Sequence, residues 1–173
     1  MKKIFKFIAL VILIGNCSAA SLAGQENTSH LLGDISKTDL KKAPFSTWFD
    51  PEERSYQVDD EALAGIDQLL DGVEVKVVLG TWCHDSKREV PRFYKIIEAT
   101  NLSEEKIQMI ALDRKKQAPG DEIDGLSITH TATFIFYRHG EELNRIVEKP
   151  TESLEKDMVK ILRGEEYRHS KLP

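Results

Sequence analysis

The chain has 173 residues, of which 31% are charged and 40% hydrophobic, and its formal net charge is −5. This length and composition predict one globular domain with its own core. An acidic chain without clusters of lysine and arginine argues against nucleic acid and anionic membrane surfaces as partners.

The first 23 residues have the pattern of a secretory signal peptide. Three lysines precede the apolar segment 7–15, and Ser21-Leu22-Ala23 is a small-x-small cleavage site. The apolar segment is shorter than the roughly 20 residues that cross a bilayer, so no stable membrane span is expected in the mature chain. The sequence therefore predicts an exported protein, either periplasmic or secreted.

Removal of residues 1–23 would leave Cys83 as the only cysteine and change the net charge from −5 to −8. Export implies an oxidising compartment, where cysteines are normally paired in disulfides. A lone thiol there is either buried and inert or present to react. The alternative processing is lipid attachment at Cys17 after cleavage at Asn16, although asparagine fits poorly with the small residue expected before such a cysteine.

Residues 24–54 are predicted to form a partly ordered N-terminal arm, because 25–46 is polar and without sustained periodicity. Trp48 and Phe49 either pin this arm to the domain or lie partly exposed in it. A short strand is predicted over 55–58. Acidic residues then precede a helix with apolar residues on one face, which ends at Gly72.

Residues 55–164 are predicted to form the domain, with a C-terminal tail at 165–173. The near-continuous apolar run 73–80 is typical of a strand that is covered on both faces. The elements that follow are a helix at 83–99, a strand at 106–113, a loop at 114–131, a hairpin of strands at 132–137 and 142–147, and a helix at 153–162. This order predicts an α/β fold with a central mixed sheet flanked by helices.

The motif Trp82-Cys83-His84-Asp85-Ser86 follows the predicted strand directly and places Cys83 at the start of a helix. Backbone N–H groups and the positive end of the helix dipole favour a thiolate over a thiol there. His84, Lys87 and Arg88 act in the same direction, whereas the Asp85 carboxylate opposes it. The alternative is an inert, buried cysteine.

On these residues the chain resembles the thioredoxin family over about residues 55–164. Trp82-Cys83-x-x-Ser86 stands where thioredoxins carry Trp-Cys-x-x-Cys, and Pro91 follows Ser86 by five residues, as the helix-kinking proline of that family does. The resemblance implies a thioredoxin-like fold with a C-terminal hairpin and helix. It also implies thiol-disulfide chemistry, for which no cofactor and no metal are expected.

Three departures from the family pattern change the expected chemistry. Ser86 replaces the resolving cysteine, and Thr131-Ala132-Thr133 has alanine where thioredoxins place a cis-proline. Val77 and Met109 match the positions of the family's buried acid and its lysine partner, so that proton relay is absent. A cis bond before a non-proline residue costs about 2.5–4 kcal/mol, so we expect a trans Thr131–Ala132 bond.

The candidate site residues divide into a catalytic and a substrate-binding set: Cys83, His84 and Ser86, and then Trp82, His130, Thr131 and Ala132. His84 stabilises the thiolate or is a surface histidine. Ser86 donates to the thiolate or caps the helix, and Trp82 is an aromatic wall or a core residue. His130 lies across from Cys83 if the resemblance holds, as an acid/base group or a solvated loop residue. One thiol at one helix start is poor spacing for a zinc site.

These residues and the resemblance lead to two alternative hypotheses about function. The first is a monothiol thiol-disulfide oxidoreductase, in which Cys83 forms a mixed disulfide that an external thiol releases. Its partners would be protein or small-molecule thiols and disulfides. The second is a non-catalytic binding module of thioredoxin-like fold that holds a protein or peptide against the Thr131-Ala132-Thr133 edge.

Overall fold

The computed structural model describes residues 30–172, so the predicted signal peptide and Cys17 lie outside the described residues. The strands are β1 (Gly33–Ile35), β2 (Val73–Leu79), β3 (Ile107–Ala111), β4 (Thr133–Arg138) and β5 (Glu141–Val147). The α-helices are α1 (Lys37–Leu40), α2 (Ser46–Ser55), α3 (His84–Ile97) and α4 (Leu154–Leu162). Short 3-10 helices occupy Ile66–Leu69 and Glu104–Lys106. Across residues 30–172, no helix has both the length and the apolar character needed to cross a membrane.

The strands form one mixed sheet in the order β1-β3-β2-β4-β5. The central strand β2 pairs in parallel with β3 and antiparallel with β4, and β4 continues into the antiparallel hairpin with β5. Strand β1 adds to the far edge antiparallel to β3. These pairings, with helices packed against the sheet and α4 following the hairpin, confirm the predicted α/β fold with a central mixed sheet.

Both faces of β2 are covered, which explains its near-continuous apolar sequence. Val75 and Val77 face the main core, which α3 and α4 close, and Phe93 of α3 contacts Phe134 of β4 there at a ring distance of 5.0 Å. Val78 faces the other way. It belongs to a smaller apolar cluster with Ile110 and Leu112, covered by apolar residues of the loop between β3 and β4.

The N-terminal segment is more ordered than the sequence predicts. Residues 33–35 pair with the edge of β3, and 46–55 form the helix α2 instead of part of a loose arm. Phe49 is fully buried and makes an edge-to-face contact with Trp48 at 5.9 Å. Burial of this aromatic side chain against α3 attaches the segment to the domain.

Two predictions between α2 and β2 are wrong. Residues 55–58 do not form a strand, because Ser55 ends α2 and the Tyr56 hydroxyl donates to the buried Glu155 carboxylate of α4 at 2.9 Å. The segment is thereby attached to a helix and not to the sheet. The helix predicted before Gly72 is reduced to turns and one 3-10 helix, since Gly65 adopts a left-handed φ of 80° that interrupts an α-helix.

Candidate active site around Cys83

A tight turn carries the chain from the end of β2 to Cys83. The Cys83 N–H group donates to the Gly80 carbonyl at 2.8 Å, and Cys83 is the N-cap of α3 with φ −83° and ψ 132°. Its carbonyl then accepts the N–H group of Lys87. The cysteine therefore stands at the start of a 14-residue helix and is partly exposed.

The Cys83 thiol faces the loop before β4 and not the amides of its own helix. Its Sγ donates to the Thr131 carbonyl at 3.0 Å, and the side chain accepts no capping hydrogen bond from α3. A thiol can donate in this way and a thiolate cannot. Deprotonation would therefore break this bond and leave the anion beside a carbonyl oxygen, so attack on a substrate requires the sulfur to turn toward solvent.

The Thr131–Ala132 bond is cis, so the prediction of a trans bond is wrong. The local preference of a non-proline residue favours trans, whereas contacts with more distant residues hold the loop on either side of this bond. The Ala132 carbonyl accepts from the Glu148 N–H group at 2.7 Å, and the Thr133 hydroxyl donates to the His130 carbonyl at 2.8 Å. The Thr131 and Ala132 side chains are both buried, so the loop presents its backbone to Cys83.

Ser86 is fully buried at 0% exposure, and its hydroxyl accepts the Gly80 N–H group at 3.1 Å. This bond closes the turn between β2 and α3 from the inside. Val77 and Met109 are direct neighbours in the parallel β2–β3 pair and are both buried, so the matched family positions are filled by apolar side chains.

Trp82 covers the same turn from outside. Its indole Nε1 donates to the Leu112 carbonyl at 2.9 Å, and the Arg114 guanidinium lies 5.4 Å from the ring centroid. A Cβ atom at Gly80 would come within 2.6 Å of the indole, so only glycine lets the ring pack this closely. Both the strand end and the cysteine are thus held in position by the tryptophan.

The two histidines proposed from the sequence have different surroundings. His130 is half-exposed; its Nδ1 lies 2.9 Å from the Thr129 hydroxyl, and its Nε2 lies 3.9 Å from the Glu148 carboxylate. Within the described part of the chain it makes no hydrogen bond to the Cys83 thiol. His84 is exposed and faces α2 across a groove. The structure therefore brings Thr131 to the thiol, and its hydrogen bonds there include neither histidine.

Arg88 is engaged away from the sulfur. Its guanidinium bonds the Asp85 carboxylate at 2.9 Å and the Glu89 carboxylate at 2.6 Å. The hydrogen bond to Glu89 raises the pKa of Arg88 further above its usual value. Burial raises the pKa of Glu89, and the contacts with Arg88 lower it by less than burial raises it. These contacts neutralise Arg88, so it is not the free cation beside Cys83 that the sequence suggests.

Sequence reasoning missed the contribution of α2 to this region. Trp48, Glu52 and Ser55 line a groove with the first turns of α3. Their spacing of four and three residues was the available signal, since it places all three side chains on one helical face. Across residues 30–172, no three or more His, Cys, Asp or Glu side chains are grouped so that they could hold a metal ion.

The chain is similar to solved structures of thioredoxin-type proteins over about half of its length. Thioredoxin from Fasciola hepatica is 18% identical, with 49% of this chain and 79% of that chain covered and a TM-score of 0.34. Mitochondrial thioredoxin 3 from Saccharomyces cerevisiae is 23% identical, with 51% and 76% covered and a TM-score of 0.33.

A chain from a structure on the thiol-resolving mechanism of yeast mitochondrial 1-Cys peroxiredoxin via glutathione/thioredoxin systems is 22% identical. The alignment covers 53% of this chain and 77% of that chain, with a TM-score of 0.34. No protein-family model matches the chain, and no curated protein matches its sequence. At such identities the likeness concerns the fold, and no conclusion about function rests on it.

Proposed function

We propose that this protein is an exported monothiol thiol-disulfide oxidoreductase that acts through Cys83. The observation that carries the proposal is the partly exposed thiol at the N-cap of α3. A helix N-terminus stabilises nearby negative charge, so a thiolate formed during exchange would lie at the positive end of the α3 dipole once the sulfur turns away from the Thr131 carbonyl. The predicted signal peptide supports action outside the cytoplasm.

The reaction is an exchange of sulfur partners. Cys83 loses its proton to solvent, and the thiolate attacks one sulfur of a substrate disulfide, so that a Cys83–substrate disulfide forms and the other substrate sulfur leaves as a thiolate. An external thiolate then attacks the substrate sulfur of the mixed disulfide and releases Cys83. The external thiol becomes disulfide-bonded to the substrate, and no cofactor takes part.

Release must come from an external thiol because Ser86 has no sulfur and its hydroxyl is occupied. The buried Ser86 Oγ accepts from the Gly80 N–H group, which assigns it to the turn. Protein and small-molecule thiols both have the required chemistry.

Intact-mass spectrometry of the Cys17→Ser chain tests this proposal, because Cys83 is then the only thiol. After exposure to oxidised glutathione we expect a single glutathione adduct that persists until a free monothiol is added. Ser86→Cys in the same background supplies an internal thiol and should release the adduct without addition. A Cys17→Ser chain that retains Ser86 and yet releases its adduct unaided would contradict the mechanism.

A non-catalytic binding module is the second candidate, and the hydrogen bond from Cys83 to the Thr131 carbonyl favours it, because this bond holds the sulfur against the loop. Iodoacetamide distinguishes the two functions. If the protein is an oxidoreductase, iodoacetamide should alkylate Cys83 faster than it alkylates a free cysteine. The comparison is made roughly between pH 6 and 8, where an ordinary thiol is mostly protonated. Slower alkylation throughout this range would favour the binding module.

A further inference from the structure

A groove lies between α2 and the first turns of α3, directly beside the candidate active site. Its volume is about 550 Å³. The side chains that line it include Trp48, Pro51, Glu52, Ser55, His84 and Lys87. Because His84 follows Cys83 in the sequence, the groove begins one residue from the thiol.

The shape of this groove suits a polypeptide segment. Trp48, Glu52 and Ser55 form one stripe along α2, and seven residues of helix span about 10 Å. About three residues of extended chain have the same length. A second depression of about 270 Å³ lies on the other side of Trp48 and extends to Pro44; both depressions include Trp48 and Lys87 in their lining. The surface is therefore elongated.

Lys87 carries a positive charge in the groove, and no carboxylate of the described residues neutralises this charge. Glu52 pairs with Arg92 at 2.7 Å, and Arg88 pairs with Asp85 at 2.9 Å. Among residues 30–172, no Asp or Glu forms an ion pair with Lys87. The half-buried Trp48 beside it offers apolar surface. A ligand that carries a carboxylate next to an apolar side chain would complement both groups.

We propose that this groove binds an extended acidic segment of a protein partner, with a carboxylate at Lys87 and an apolar side chain against Trp48. The net charge of the whole chain is −5, so the attraction must be local and will weaken with salt. That this partner also carries the disulfide attacked by Cys83 rests on the proposed function, whereas binding in the groove does not.

Fluorescence anisotropy with two rhodamine-labelled peptides tests the proposal on the full chain. One short peptide alternates glutamate with leucine, and the other has lysine in place of each glutamate. Wild type should bind the glutamate peptide about threefold to tenfold more tightly, as expected for partly exposed ion pairs. Lys87→Glu should abolish or invert this preference, and Lys87→Arg should retain it. Lys156→Glu, an equal charge change at an exposed site on α4, should also retain it.

Equal affinities for the two peptides, including no binding of either, would overturn the proposal, as would an unchanged preference in Lys87→Glu. Exchange of Cys83 with neutral hydroxyethyl disulfide is measured in parallel. If binding is selective but no exchange occurs, the proposed peptide-binding role of the groove is supported and the proposed oxidoreductase activity is contradicted. If exchange occurs without selective binding, the proposed oxidoreductase activity is supported and the proposed acidic partner is contradicted.

Discussion

Cys83 and Ser86 lie one turn apart at the start of α3, yet their surroundings are opposite. Cys83 is partly exposed, and its thiol donates to a loop that is 48 residues distant in the chain. Ser86 is fully buried, and its hydroxyl accepts from the turn six residues before it. The serine is therefore not a weakened resolving group. It holds the turn that presents the cysteine, so Ser86 has a structural role and the proposed chemistry falls to Cys83 alone.

The largest effect expected from this division is the complete loss of mixed-disulfide formation in Cys83→Ser. A serine hydroxyl can still donate to the Thr131 carbonyl, so the free energy of unfolding should stay within about 0.5 kcal/mol of wild type. Intact-mass spectrometry and urea unfolding, both in the Cys17→Ser background, measure the two quantities. An adduct that still forms would show that Cys83 is not the reacting sulfur.

Gly80→Ala should produce the next largest effect, because the new Cβ would lie 2.6 Å from the Trp82 indole. We expect a loss of up to about 3 kcal/mol in the free energy of unfolding, as for other overpacked sites. A double-mutant cycle with Trp82→Leu provides the control, since the cost of Gly80→Ala should shrink once the indole is gone. An equal cost in both backgrounds would mean that the indole is not the obstacle.

Ser86→Ala tests the structural half of the comparison. The buried Gly80 N–H group would lose its partner, at a cost of about 1–2 kcal/mol in the free energy of unfolding. Ser55→Ala removes an exposed hydroxyl from α2 and should cost much less. Mixed-disulfide formation at Cys83 should survive in Ser86→Ala. If it disappeared while the fold persisted, Ser86 would have a direct chemical role.

The smallest effect is a pH dependence from Glu89, which is buried further along α3. Burial raises its pKa above the ordinary value of about 4.5, so the folded state holds its proton to higher pH than the unfolded state. Its contribution to stability is greatest below about pH 4.5 and falls as the pH rises through the folded-state pKa. Glu89→Gln should therefore gain stability relative to wild type as the pH rises from 4.5 to 7.

Urea unfolding across this pH range measures the difference between the two proteins. Glu74→Gln is the matched control, because Glu74 lies in an exposed ion pair with Lys106. Its stability difference from wild type should vary less with pH. Parallel curves for wild type and Glu89→Gln would contradict the effect assigned to burial.

Local pattern was sufficient for the elements that carry the candidate site. The apolar run before Trp82 predicted β2, and the structure begins α3 directly after Cys83. Ser153 caps α4 by accepting the Lys156 N–H group, close to the predicted helix start. These features depend on neighbouring residues, so a short stretch of sequence is enough to predict them. The placement of the loop that contains His130 opposite Cys83 came instead from the resemblance to thioredoxins, which supplied the topology that a short stretch of sequence lacks.

Tertiary structure alone decided the cis Thr131–Ala132 bond, the role of Ser86, and the groove beside Lys87. The cis bond and the groove depend on groups far apart in the chain, because the Ala132 carbonyl meets the Glu148 N–H group and α2 packs beside α3. The partner of Ser86 is only six residues away, but the packing that buries its hydroxyl is tertiary. The sequence by itself determined where a cysteine would stand at a helix start, because backbone geometry and periodic burial are local properties. It did not determine what that cysteine faces, because hydrogen-bond partners are selected by the packing of distant segments.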